Sequence, residues 1–237
     1  MDTLQGVISD LRVFLYAGFQ NLPLCVAGTF LLVGLFTANY AMLFFLAGFL
    51  LAVPVVHFGL DLLLRAVLPA DWIMTTSDVC RIVVPFANTN ASNASNASNT
   101  PHVASQWMSM MLFFVGYMIR NGVKLLIREP EPTAGVELTE TQVKELDRKA
   151  SFRKAQALVS LLTLIVVAAT LFIVRYRTGC ESTLGGIVSL GFGYAGYVWY
   201  DLLSAVGQDR LSDLFGVANR LLPPDAIVNG PVMCFPA

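Results

Sequence analysis

Charge is scarce in this chain of 237 residues: 13% are Asp, Glu, Lys or Arg, against roughly a quarter in a soluble globular domain. Cations are not in surplus either, with 15 Lys and Arg against 16 Asp and Glu, so no strongly basic face is available to bind phosphate and nucleic acid is excluded as a partner. Histidine is limited to His57 and His102, and no Cys/His spacing suits a metal. The phosphate-cradling P-loop, the Gly-x-Ser-x-Gly elbow and a pair of catalytic carboxylates are all missing. These absences exclude a soluble enzyme and a disordered tail protein, and they leave no catalytic, cofactor or metal site to assign.

What is abundant is apolar sequence: 56% of residues are hydrophobic and the mean hydropathy is +0.66. Runs of about twenty apolar residues alternate with short polar stretches, the pattern of a polytopic membrane protein. The lipid bilayer is therefore the first partner. The expected fold class is all-α, a polytopic membrane helical bundle of four spans plus a Gly-rich fifth, with amphipathic interfacial helices at both termini.

Residues 1–21 lack the basic start and cleavage site of a signal peptide. Leu4, Ile8, Leu11 and Leu15 recur at helical spacing, which predicts an amphipathic helix at the interface or an extension of the first span. Residues 22–64 hold a hairpin of two spans with Asn39 at its tip. Pro54 should kink the second, because it removes a backbone donor inside the helix. Residues 65–106 form a polar loop, expected to be mobile and exposed, in which Asn-Ala-Ser repeats three times. Asn90, Asn93 and Asn96 are thus N-glycosylation acceptors by pattern, although a slipped trinucleotide repeat writes the same sequence without a glycan.

The third span is 107–127, anchored at the interface by Trp107, with Arg120, Lys124 and Arg128 on one face reaching toward headgroups. A charged loop with a capped helix follows over 128–154. Thr139 and Gln142 have capping-box spacing, and Glu140 with Lys144 and Glu145 with Lys149 add favourable i,i+4 pairs. This helix is expected to run unbroken into the fourth span, 155–174. The fifth segment, 183–203, is rich in glycine and tyrosine. Its Gly185, Ser189 and Gly193 form a face of small residues for close helix packing, and Tyr194, Tyr197, Trp199 and Tyr200 an aromatic belt. Over 204–237 an amphipathic helix, drawn at 209–222, precedes an extended tail.

Seven of the fifteen cations lie between Lys124 and Lys154, which places the capped helix on the cytoplasmic side and the Asn-Ala-Ser loop on the other. Cys25 reads as a small packing residue. Cys80 and Cys180 fall on the oxidising side and can pair; if the fifth segment does not cross, Cys180 with Cys234 is the rival bridge. His57 and Asp61, an intramembrane polar pair one turn apart, suit a proton relay or a cation site, while Asp61 with Arg65 suits an ion pair at the membrane edge. Gly191, Gly193 and Gly196 match the dinucleotide fingerprint, but without a βαβ unit around them they read as packing glycines.

The segments GFGYAGYVWYDLLSA and DRLSDLFGVANRLLPP and the terminal Cys234-Phe235-Pro236 resemble a recurring pattern in small multi-spanning membrane proteins of the large nucleocytoplasmic DNA viruses of algae and protists. The resemblance covers about a quarter of the chain. It implies a structural protein of the virion's internal membrane, derived from host endoplasmic reticulum, and a minor capsid component with major and other minor capsid proteins as partners. The alternatives from the residues themselves are a small channel or transporter using His57 and Asp61, and a four-span cellular glycoprotein scaffold.

Overall fold

In a computed structural model, residues 18–19, 21–69, 74–75, 101–127, 140–207 and 209–214 are described. Five long helices dominate them: α1 (Leu22–Phe36), α2 (Tyr40–Val67), α3 (Gln106–Ile127), α4 (Glu140–Arg177) and α5 (Thr183–Gly207), followed by a single turn α6 (Asp209–Ser212). The remaining regular structure among these residues is one two-residue antiparallel pairing of β1 (Met74–Thr75) with β2 (Pro101–His102), in the register Met74 to His102. The protein is thus helical as expected.

Among the described residues, three helices are long and apolar enough to cross a bilayer: Tyr40–Val67, Gln106–Ile127 and the Ala157–Arg177 part of α4. The α1 helix is apolar but has 15 residues, about 22 Å of rise against a hydrocarbon core of roughly 30 Å. The α5 helix has 25 residues, long enough, but its glycines and tyrosines dilute its apolarity.

The tip of the first hairpin is built from backbone geometry. Asn39 N–H donates to Gly34 O at 2.8 Å and Ala38 N–H to Leu35 O at 3.3 Å, the paired bonds of a Schellman ending. Asn39 then opens α2, its side chain accepting from Ala41 N–H. The motif needs a left-handed residue, and here it is Ala38, with φ of +49°. An alanine there is strained by about 1 kcal/mol, which glycine avoids. Ala38→Gly is therefore expected to raise the thermal midpoint in detergent by a few degrees; an unchanged or lowered midpoint would show that the turn is not held in this form.

Pro54 does not break α2. Its ring crowds the carbonyl one turn back and it offers no N–H, and the helix accommodates this with a π turn at Gly48–Ala52, where Val53 N–H reaches Gly48 O. The Trp199 indole sits against Gly48, where a Cβ would lie 2.6 Å from Nε1, and donates to Phe44 O at 3.4 Å.

The core lies between α2, α3 and α5. Phe45, Phe49, Phe113, Tyr117 and Tyr200 are buried together, with the Phe45 and Tyr117 rings 4.9 Å apart and Tyr117 and Tyr200 5.2 Å apart. Tyr117 Oη donates to Ser212 O at 2.8 Å, so the phenol keeps a partner where water cannot reach. Contacts along α3 and α5 rise together in number: Ser109 meets Ser189, Arg120 meets Asp201 and Lys124 meets Ser204. The two helices therefore run parallel, with α4 returning antiparallel between them in sequence.

Several expectations are corrected here. Trp107 is fully buried, its ring tilted against that of Phe19 with centroids 5.0 Å apart and its indole N–H bonded to Phe19 O, so it is a packing centre and not a lipid-interface anchor. Arg120 and Lys124 bond across to α5, at Asp201 and Ser204. The aromatic belt divides: Tyr200 is buried, Trp199 packs on Gly48, and Tyr194 stays exposed. The 65–106 loop is shorter than drawn, since α2 continues to Val67 and Val103, Ala104 and Ser105 are buried. Cys25 is exposed, so it does not pack internally. The helix drawn over 209–222 ends at Ser212, where Leu214 turns into the core. The amphipathic stretch of 1–17, the Asn-Ala-Ser run with Asn90, Asn93 and Asn96, Cys80, Thr139, Arg128, and the tail with Cys234 lie outside the described residues.

Candidate functional site

The two helices that run parallel, α3 and α5, begin at the same end of the bundle, and each begins on a serine. Ser182 caps α5 by accepting from Gly185 N–H at 2.8 Å. Ser105 stands just before α3, its Oγ at 3.5 Å from Met108 N. Helix N-termini carry unpaired N–H groups and partial positive charge. Glu181 lies between them, and its Oε1 accepts Ser105 N–H at 3.1 Å. The C-terminal turn of α4 ends here too, and there the favoured charge is positive. It supplies Arg175, whose Nη2 donates to Ser105 Oγ at 2.9 Å and whose Cζ lies 4.7 Å from the Trp107 ring centroid.

Both charged groups are deeply enclosed, Arg175 and Glu181 each 4% exposed. They meet through Ser105 and not in a direct ion pair. Glu181 Oε2 is buried without a hydrogen-bond partner among the described residues. Burial pushes the Glu181 carboxyl up to about 7, outweighing the Ser105 hydrogen bonds and the nearby Arg175 cation, which pull it down. Ser182 Oγ also donates to Val103 O at 3.3 Å, and Val103 N–H donates to Asp61 Oδ1 at 2.9 Å. The node thus ties α2, the segment before α3, the end of α4 and the start of α5. A buried charge leaves such a network only at a cost of several kcal/mol, so the arrangement acts as a clamp.

A second polar cluster lies about one turn deeper. Ser109 Oγ is 3.2 Å from His57 Nδ1 and 3.5 Å from Ser189 Oγ, linking α2, α3 and α5 across their shared core.

The residues singled out from sequence divide accordingly. Asp61 is bonded to Arg65 and to Val103 N–H, as the edge-pair reading expected, whereas His57 turns to Ser109. Gly185, Ser189 and Gly193 all face the start of α3 or α3 itself: Gly185 lies against Val103 O, Ser189 against Ser109 and Gly193 against Leu112 O. The tightest contacts are elsewhere on this seam, at Gly116 against Gly193 O and Gly196 against Phe113 O. Gly191 faces open space, and the segment around all three fingerprint glycines is helical throughout. Cys180 is disulfide-bonded, its partner lying outside the described residues. No group of three or more His, Cys, Asp or Glu is placed to hold a metal among the described residues.

Arg175, Glu181 and Gly116 were not expected from sequence; of the three glycines read there as packing positions, Gly193 and Gly196 pack on α3 and Gly191 does not. The Ser182-x-x-Gly185 cap and the seven-residue spacing of Ser109 and Gly116 were the available signals. No family model, curated protein or solved structure matches the chain.

Proposed function

We propose that this chain is a non-enzymatic structural membrane protein of a large DNA virus particle, a minor capsid component that ties the internal membrane to the shell. The observation that carries this reading is α4. It runs unbroken over 38 residues from Glu140 to Arg177, and only Ala157–Arg177 is apolar enough to cross. The first 17 residues then form a helical stalk of about 25 Å beyond the bilayer. Lys144, Arg148 and Phe152 are exposed on it at i, i+4 and i+8, Phe152 by 70%, a charged and aromatic stripe suited to a protein partner.

The same reading takes α5 as a crossing helix. It lies parallel to α3 from Ser109–Ser189 to Lys124–Ser204, and it starts at the turn that carries the Cys180 disulfide. A disulfide belongs on an oxidising side, which puts the stalk on the opposite, cytoplasmic face, in agreement with its cations. With α1 and α2 as the hairpin, the bundle then has five crossings. A relay through His57 and Asp61 is not proposed, because the two side chains serve different partners.

Mild detergent extraction of native particles tests the tether. The protein is expected to sediment with the shells after lipid is removed, and Lys144→Glu with Arg148→Glu is expected to release it. Release of the wild-type chain with the lipid would overturn the reading.

A further inference from the structure

The stalk of α4 stands clear of the bundle. Its described side chains from Lys144 to Ala155 are all exposed, and the first half-buried one is Ala157, where the span begins. One hydroxyl on it is set apart by its neighbours. Ser151 follows Arg148 and Lys149 by three and two positions, and after it come Phe152, Arg153 and Lys154. Over residues 144–154 those four cations and Lys144 stand against Glu145 and Asp147. In a helix, positions three before and three after Ser151 share its face, and Arg148 and Lys154 there are exposed, as is Ser151 itself. Phe152 beside it is exposed as well. The Ser151 hydroxyl donates to Arg148 O at 2.8 Å, a bond within its own turn.

An exposed hydroxyl with cations on both sides and an apolar ring next to it suits the peptide groove of a protein kinase whose walls are acidic, by charge complementarity and one apolar pocket. Such a groove takes its peptide extended, so the stalk must open locally. A stalk of 17 residues is a marginal helix in water where no tertiary face supports it, and segments with few buried contacts open at little cost. Opening also frees the Ser151 hydroxyl from Arg148 O.

We propose that Ser151 is the phosphate acceptor for a cytoplasmic Ser/Thr kinase with an acidic groove, using MgATP, and that the phosphate releases the stalk from its protein partner. In the transfer Ser151 Oγ bonds to the γ-phosphorus, the bond from that phosphorus to the β,γ-bridging oxygen breaks, ADP leaves and the hydroxyl proton passes to the kinase's base. The phosphate brings about two negative charges, which lowers the surplus of cations over residues 144–154 from three to about one. Once the helix re-forms, the phosphate pairs with Arg148 and Lys154 one turn to either side, taking Arg148 out of the stripe offered to the partner. The site rests on the stalk being cytoplasmic, and its effect rests also on the docking proposed above.

The test uses the full chain in sealed microsomes of endoplasmic reticulum, cytoplasmic face outward. The probes are MgATP with the catalytic subunit of cyclic-AMP-dependent protein kinase, whose groove is acidic, and phosphopeptide mapping is the readout. Phosphate is expected on Ser151 in intact microsomes, lost in Ser151→Ala, kept in Ser151→Thr and added about tenfold more slowly in Arg148→Gln, the loss of one charge-assisted pair. Casein kinase, whose groove is basic, should leave Ser151 unmodified. Label retained in Ser151→Ala, or equal labelling by casein kinase, overturns the assignment. So does a lack of label after detergent opens the vesicles, a failure that leaves the orientation standing. Label that appears only after opening overturns the cytoplasmic placement and the proposal with it. For the effect, phosphate on Ser151 should be at least about fivefold rarer in chain that sediments with shells than in the free membrane pool, the lower end of coupling between two binding events. Equal phosphate in the two pools overturns the release, and chain that never sediments with shells overturns the release together with the tether, while the labelling result stands apart.

Discussion

Gly196→Ala is expected to destabilise the bundle by about 3 kcal/mol, the upper range for overpacking. A Cβ at this position overlaps the Phe113 carbonyl, and one at Gly116 overlaps the Gly193 carbonyl. The obstacle in both cases is backbone, which cannot rotate aside as a long side chain can. Helices α3 and α5 must therefore separate along their whole contact, loosening the Tyr117–Tyr200 ring pair, the Arg120–Asp201 ion pair and the Ser109–Ser189 contact together. For a chain of this size each kcal/mol corresponds to roughly 2–4 °C in thermal midpoint, so a fall of about 6–12 °C is expected in detergent. Gly116→Ala should behave alike, and the double variant should cost less than the sum, since the first substitution has already parted the helices. Gly191→Ala is the control. It faces open space in mid-helix, so it should be neutral or gain up to about 1 kcal/mol in helix propensity. If Gly196→Ala melts with Gly191→Ala, the close approach is not what holds the pair.

The seam also shows what sequence could and could not reveal. Hydropathy and breakers were sufficient to place α1 to α5, because apolar runs and helix-stopping residues act within each segment independently. The Asn39 tip, the Asp61–Arg65 pair and the unbroken helix from Glu140 were legible for the same reason, each being fixed within a few residues of chain. The small-residue face of α5 was legible as a face, but not its partner. Gly185, Ser189 and Gly193 announce that something approaches closely, yet pairing Gly116 with Gly193 depends on which helices are neighbours. Arg175 and Glu181 were hidden more completely. In sequence Arg175 is one cation at the end of a span and Glu181 one acid in a turn, both ordinary surface residues. They become a buried node only when the N-termini of α3 and α5 arrive on either side of them, from 70 residues upstream in the case of Ser105. Pro54 shows the converse: its local chemistry was read correctly, but the helix answered with a π turn at Gly48–Ala52, next to Trp199.

Stability should fall as pH rises from about 4.5 to above 7, and Glu181→Gln should abolish most of that slope. The Glu181 carboxyl titrates near 7 in the folded protein and in the ordinary carboxylate range when unfolded. Between those values the folded state holds a proton that the unfolded state has released, so folding is favoured by acid and the gain is complete below the unfolded value. Across the window the difference amounts to about 3 kcal/mol. The cause is desolvation, because the carboxylate is enclosed where Oε2 has no bond, and Arg175, held on Ser105 and the face of Trp107, compensates only in part. Glutamine preserves the shape and can still accept Ser105 N–H through its oxygen, but it has no charge to desolvate. At pH 8 the variant should therefore melt at a higher temperature than the wild-type chain, and at pH 5 the two should nearly coincide. Glu181→Ala separates this from a simple loss of bulk: it leaves Ser105 N–H buried without its acceptor, so it should destabilise at both pH values. A wild-type midpoint that is flat from pH 5 to 8, or a slope retained in Glu181→Gln, would mean that the carboxyl reaches water in the folded protein and that the outer ends of α3, α4 and α5 are held by other contacts.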